Sequence, residues 1–139
     1  MQFVNEGHLG GFVAADEHYP NGDPMTYCPG VWKYLLYKFL PKSVCDVGCG
    51  EGHAVKWFRD RKLEVESNHP DVEVLADMYH RRGRSLQSVF GVEGCKTGID
   101  KGIVPAKLIV HHDFTQGCLA VGASNADLTK RKPSHHWLG

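Results

Sequence analysis

The 139-residue chain predicts an α/β fold, a three-layer parallel sheet of which the first strands are present. Three observations predict it. A short run of small and branched residues, Ser43-Val44-Cys45-Asp46-Val47, breaks at Gly48-Cys49-Gly50-Glu51-Gly52 and gives way to a helical pattern over 53–60, the opening of a βαβ unit. Two later apolar segments, 88–94 and 106–113, each reach an acidic residue, Glu93 and Asp113. Between the first and second strands, residues 71–82 repeat apolar side chains at helical spacing.

Along the chain, residues 1–30 are rich in turn formers, and Tyr19-Pro20-Asn21-Gly22-Asp23-Pro24 reads as loop because Pro and Gly recur too often for a regular element. Residues 31–40 read as a short helix ended by Pro41, with Trp32, Leu35, Leu36 and Phe39 set to pack on a sheet. The first strand covers 43–47. In the helix over 53–60, Ala54, Val55, Trp57 and Phe58 face the sheet. Leu63-Glu64-Val65 has the look of a second strand before the polar run 66–70. In 71–82, Val72, Leu75, Ala76 and Tyr79 form one stripe, and Arg81-Arg82 followed by Gly83 is a stop. Further strands are expected near 89–93 and 107–112, the latter the clearest in the chain. Residues 118–139 read as an irregular tail, and Lys130, Arg131 and Lys132 as a solvated cluster. The organisation expected is an N-terminal loop region (1–30), a ligand-binding domain (31–117, with surplus sequence at 66–87) and the C-terminal tail (118–139).

Composition excludes several classes. Hydrophobic residues at 42% and charged residues at 23% are ordinary for a globular domain, which argues against disorder along the whole chain. Sixteen basic residues balance sixteen acidic ones, so the general basic footprint of a nucleic-acid binder is absent. No apolar run approaches the roughly 18 residues of a membrane span, and the first residues do not resemble a signal peptide. Five cysteines without a C-x-x-C pair suit reduced thiols and a cytoplasmic setting. The pairs His111-His112 and His135-His136 point to opposite faces if extended, so no metal site is expected.

The chemistry sits at residues 44–53. Gly48, Gly50 and Gly52 follow a strand directly, so the backbone can turn tightly and a ligand can approach the main chain without Cβ interference. The helix that follows presents free N–H groups and the positive end of its dipole. The dinucleotide fingerprint G-x-G-x-x-G would need glycine at position 53, where His53 stands. Asp46, two residues before the first glycine, would repel a pyrophosphate but accept a hydrogen bond from an ammonium group. A ligand that joins an amino acid to a nucleoside meets both demands. Cys49 is read as filler, since no base stands beside it in the sequence. His53 is read as a solvent-facing residue of the first helical turn, and Tyr19, Tyr27 and Trp32 as packing residues.

Asp46-Val47-Gly48-Cys49-Gly50-Glu51-Gly52 resembles the first motif of class I S-adenosylmethionine-dependent methyltransferases. The resemblance covers about residues 31–117 and implies a Rossmann-like sheet in the order third, second, first strand, with the ligand at the carboxyl ends. It implies S-adenosyl-L-methionine as cofactor. Asp46, Gly48, Cys49, Gly50 and Gly52 would hold the methionine part, Glu93 the ribose hydroxyls, and Asp113 would lie near the adenine. Two departures stand out. Glu93 lies 43 residues after Gly50, against about 20 in dinucleotide-type folds, and 66–87 is the surplus. Glu64, 14 residues after Gly50, leaves little room for a helix and return loop. The family's fourth strand has only a faint echo in Ala126-Asp127-Leu128, so the chain is expected to be truncated after the cofactor-binding half, with no catalytic residue named and a sheet edge open to self-association. A non-catalytic domain and, more distantly, an NAD-binding oxidoreductase fragment are the other readings of these residues. The methyl acceptor is unassigned; neither a membrane nor nucleic acid is implied as partner.

Overall fold

Three parallel strands carry the glycine bend, and the helices between them set its position. The computed structural model describes residues 2–5 and 11–116. Strands β1 (Gln2–Asn5) and β2 (Gly11–Ala14) pair antiparallel, with Phe3 opposite Val13. Helix α1 (Pro29–Phe39) follows, then β3 (Ser43–Val47), α2 (His53–Glu66), α3 (Glu73–Arg81), β4 (Ser88–Glu93), the short α4 (Lys96–Asp100) and β5 (Ile109–His111). Single 3-10 turns precede α3 and β5 and follow β5. The parallel sheet has the order β3-β4-β5, with Ser43 opposite Ser88 and Gly91 opposite Ile109. The fold is therefore mixed α/β, and the strand order is the one expected.

Local chemistry explains most boundaries. Pro29 opens α1, where its missing N–H has no helical partner to lose. Leu40 closes the helix in a left-handed conformation (φ 44°), its N–H donating to the Leu36 carbonyl, and Pro41 cannot continue it. Gly83 ends the α3 segment with φ +59°, as the stop over 81–83 predicts.

The core lies on one face of the sheet. Leu36 and Leu40 of the α1 segment, Val55 and Phe58 of α2, and Val72, Leu75 and Tyr79 of the α3 segment share a buried cluster with Val89 of β4 and Ile109 of β5. Phe90, Val92 and Val110 alternate onto the opposite face with Cys45. Of the expected stripe, Val72, Leu75 and Tyr79 are buried and Ala76 is half-buried. The Tyr79 hydroxyl donates to the Pro41 carbonyl at 2.7 Å, bonding α3 to the turn that leads into β3. Burial pushes that phenol up to about 12, so it stays protonated as a donor.

Several expectations need correction. Leu63, Glu64 and Val65 are not a strand but the last turns of α2. Ion pairs Lys56–Asp60, Arg61–Glu64 and Lys62–Glu66 stitch its exposed side at helical spacing, and Val65 packs against the core. Glu64, bound to Arg61, belongs to this helix and to no strand end. The clearest strand of the sequence is shorter than 107–112, because Pro105 starts a 3-10 turn over Ala106–Leu108. In α1, Leu36 is buried but Leu35 and Phe39 are largely exposed. Trp32 meets Trp57 and Phe58 of α2, with ring centroids 6.0 and 6.4 Å away, and packs against the core cluster. Within 1–30, the turn-rich composition concealed the β1–β2 ribbon. The tail expected over 118–139 lies outside the described residues, as do Lys130, Arg131 and Lys132. Among the described residues, no helix is long and apolar enough to cross a membrane.

Leu75 is 1% exposed at the centre of the α3 contribution. Replacing it with Ala should lower the unfolding free energy by about 2–5 kcal/mol, read from urea denaturation. A loss below about 1 kcal/mol would mean that α3 is an appendage and not part of this core.

Candidate functional site

The bend between β3 and α2 is glycine-dependent. Gly48, Gly50 and Gly52 have φ of +76°, +56° and +91°, all in the left-handed region that other residues rarely adopt. The bend is fastened to the next strand: Gly48 and Cys49 both donate N–H to the Val92 carbonyl, at 2.8 and 3.2 Å. Gly52 caps α2, and a Cβ there would lie 3.0 Å from Val104 Cγ2.

Glu93 sits behind this loop. It is 4% exposed; one carboxylate oxygen accepts the Gly50 N–H at 2.9 Å and the other accepts the Cys95 N–H at 2.9 Å. The acid at the end of β4 therefore joins the glycine loop to the start of α4. Glu51, 7% exposed, accepts the Ala15 N–H at 2.8 Å and lies 3.3 Å from His53 Nε2. This bond ties the segment after β2 to the same loop.

A cleft of about 410 Å³ opens between the glycine loop and the N-terminal segment. Asp46, Gly48, Cys49, Gly50, Glu51 and His53 line one wall. Phe12, Asp23, Tyr27 and Trp32 line the other. Three carboxylates, Asp23, Asp46 and Glu51, thus meet aromatic rings, and among the described lining residues there is no lysine or arginine. Burial raises the Asp46 carboxyl above its ordinary value, and the charge of Glu93 adds to the effect. Burial likewise pushes the Cys45 thiol up to about 11, helped by Asp46. Cys49 is pushed higher still by burial and by the charges of Asp46 and Glu93, so it is no thiolate nucleophile at neutral pH.

No known protein family, curated protein or solved structure matches this chain.

Of the residues singled out in the sequence, the cleft brings together Asp46, Gly48, Cys49 and Gly50. Gly52 is off the cleft wall, at the start of α2 against Val104 and Ile109. Glu93 touches the loop from behind and is not on the cleft wall. Asp113 is also off that wall; its Oδ1 accepts the Thr115 N–H and hydroxyl within its own turn. Two residues were misjudged. His53 is not a solvent-facing first-turn residue: its side chain is 15% exposed and turned to Glu51. Glu51 was not singled out as a site residue, although an acid between two glycines was the available signal. Tyr27 and Trp32 line the cleft as well as packing against each other, whereas Tyr19 is not on its wall. Among the described residues, no group of three His, Cys, Asp or Glu side chains converges as for a metal ion.

Glu93→Gln separates a buttress from a ligand grip. A glutamine can accept from only one of the two amides, so it should cost about 1–3 kcal/mol of stability in urea denaturation. Unchanged stability would show that the loop does not depend on this carboxylate.

Asp46→Asn tests the buried charge. An acid whose folded pKa is raised binds its proton more readily folded than unfolded, so stability falls as pH rises from about 3.8 through the raised folded value. The Asn variant should therefore be the more stable at pH 7, and its advantage should shrink as the pH falls towards 3. An advantage that stays constant with pH would contradict this cause.

Proposed function

We propose that the cleft binds S-adenosyl-L-methionine, and that the chain is an S-adenosylmethionine-dependent methyltransferase or the cofactor-binding part of one. The observation that carries this reading is the meeting of three carboxylates with a glycine bend in a cleft whose described lining holds no lysine or arginine. The ligand has an ammonium and a sulfonium, and both favour such surroundings; a pyrophosphate would bring more negative charge into them. The volume lies within the roughly 300–1,000 Å³ usual for small-molecule sites.

The residues present fit the amino acid half. Asp46 and Glu51 are placed to accept from the ammonium. The first amides of α2, which lack intrahelical acceptors, suit the carboxylate, and His53 and Ala54 bring this turn to the cleft wall. Tyr27 and Trp32 offer ring faces to a sulfonium. When bound, the cofactor supplies an electrophilic methyl group to a nucleophile. The chain's part is to hold that group in line and to keep water away, work that rests on alignment more than on one acid or base. On this reading β3, β4 and β5 are the first strands of a Rossmann-like sheet, and Glu93 shapes the loop by holding Gly50.

Calorimetric titration tests it. S-adenosylhomocysteine should bind and NAD should not. Asp46→Asn should weaken binding by about tenfold to a hundredfold, the range for one hydrogen bond to a charged group. Gly50→Leu should abolish it, because φ is +56° there and a Cβ would stand 3.2 Å from Phe12 Cβ. Binding of NAD alone, or an undiminished signal in Gly50→Leu, would overturn the assignment.

A further inference from the structure

Phe12 lies at a place no other aromatic side chain of the cleft shares. Its ring spans two bare backbone positions: a Cβ on Gly50 would stand 3.2 Å from Phe12 Cβ, and a Cβ on Gly98 would stand 3.1 Å from Phe12 Cε1. The two glycines are neighbours, since the same Gly98 Cβ would lie 3.1 Å from the Gly50 carbonyl oxygen. The glycine loop and α4 thus form one patch of bare main chain, and a flat apolar ring covers it. Such a surface takes any planar ring, because no side chain stands in the way.

The segment that delivers the ring stands outside the parallel sheet, and Phe12 is buried on it. Strands β1 and β2 pair with each other and form a sheet separate from β3-β4-β5. A two-stranded ribbon alone is marginal in water. Beyond it, the Ala15 N–H bond to Glu51 and the approach of Gly22 to the His53 ring, which a Cβ would meet at 3.3 Å, fasten the segment to the loop. The parallel sheet and its helical core do not include Phe12.

We propose that Phe12 is a removable plug: its ring covers a main-chain patch at Gly50 and Gly98 that receives the planar base of a purine nucleoside, and the N-terminal strap must release it before the whole ligand can seat. This rests on the reading of the cleft given above. The amino acid half meets Asp46 and Glu51 in the open part of the cleft, while the nucleoside half competes with Phe12. The plug also accounts for Glu93: the acid expected at the ribose stands behind Gly50, off the open wall.

The experiment titrates the full chain, Phe12→Ala and Ala15→Pro with S-adenosylhomocysteine and, separately, with adenosine, with circular dichroism as a check of folding. Ala15→Pro removes the N–H that bonds Glu51 while leaving the ring and the glycine patch in place, and Ala14 before it is already extended, as proline requires. Both variants should bind both ligands at least tenfold more tightly than the parent chain. If Phe12→Ala fails to fold, Ala15→Pro carries the test. Binding of S-adenosylhomocysteine by all chains with affinity unchanged or weakened in the variants would overturn the plug and leave the cleft assignment standing, with Phe12 as a wall. Binding of neither ligand by any chain would overturn both.

Discussion

The two bonds of the Glu93 carboxylate, to the amides of Gly50 and Cys95, are the constraint on which the site depends. A bend of glycines has no side chains to hold it, and its conformational freedom must be removed by something else. Val92 removes part of it by accepting two loop amides. Glu93 removes the rest, and it acts from inside, where a charged acceptor is strong and a missing partner is costly. The loop, the end of β4 and the start of α4 are therefore joined by hydrogen bonds. Every other feature of the cleft is positioned against them.

A buried carboxylate has consequences for its neighbours. Asp46 lies close enough to Glu93 for its own ionisation to become harder. Cys49, between them in the electrostatic sense, loses any prospect of acting as a thiolate. With Glu51 and Asp23 added, the cleft holds more negative charge than its described lining can neutralise. Such an arrangement favours a cationic ligand, since the charge is prepared in the absence of the ligand and needs no reorganisation on its arrival.

The strands and the glycine bend were legible in the sequence because both rest on local rules, whereas the strand order was expected only from the family resemblance. Branched residues before Gly48 and acids after the later strands mark the sheet, and left-handed backbone demands glycine whatever surrounds it. The expected α3 stripe held because Leu75 and Tyr79 obey helical period and are buried. Leu63–Val65 misled because a short apolar pair has no period of its own; the charges at Lys62 and Glu66, four apart, decide for helix. The role of Glu93 was hidden for a different reason. Its partners lie 43 residues back and two residues ahead, and nothing in the local pattern separates an acid that faces solvent from one that caps a loop. Phe12 was hidden by composition, since a ribbon of four-residue strands among turn formers carries too few residues for a period.

Residues 66–87 looked like surplus between a glycine bend and its acid, and packing gives them a purpose. Leu75 and Tyr79 lie under the sheet with Val55 and Phe58, so the extra helix widens the core that supports β3 and β4. The Tyr79 bond to Pro41 anchors the turn that leads into β3, the strand that carries Asp46. A longer crossover thus costs little in loop entropy, which grows only slowly with length, and returns buried area beneath the bend. The distance in sequence between Gly50 and Glu93 is consequently no obstacle to their meeting: the helices fill it with core, and the parallel register of β3 on β4 brings the two together at one end of the sheet.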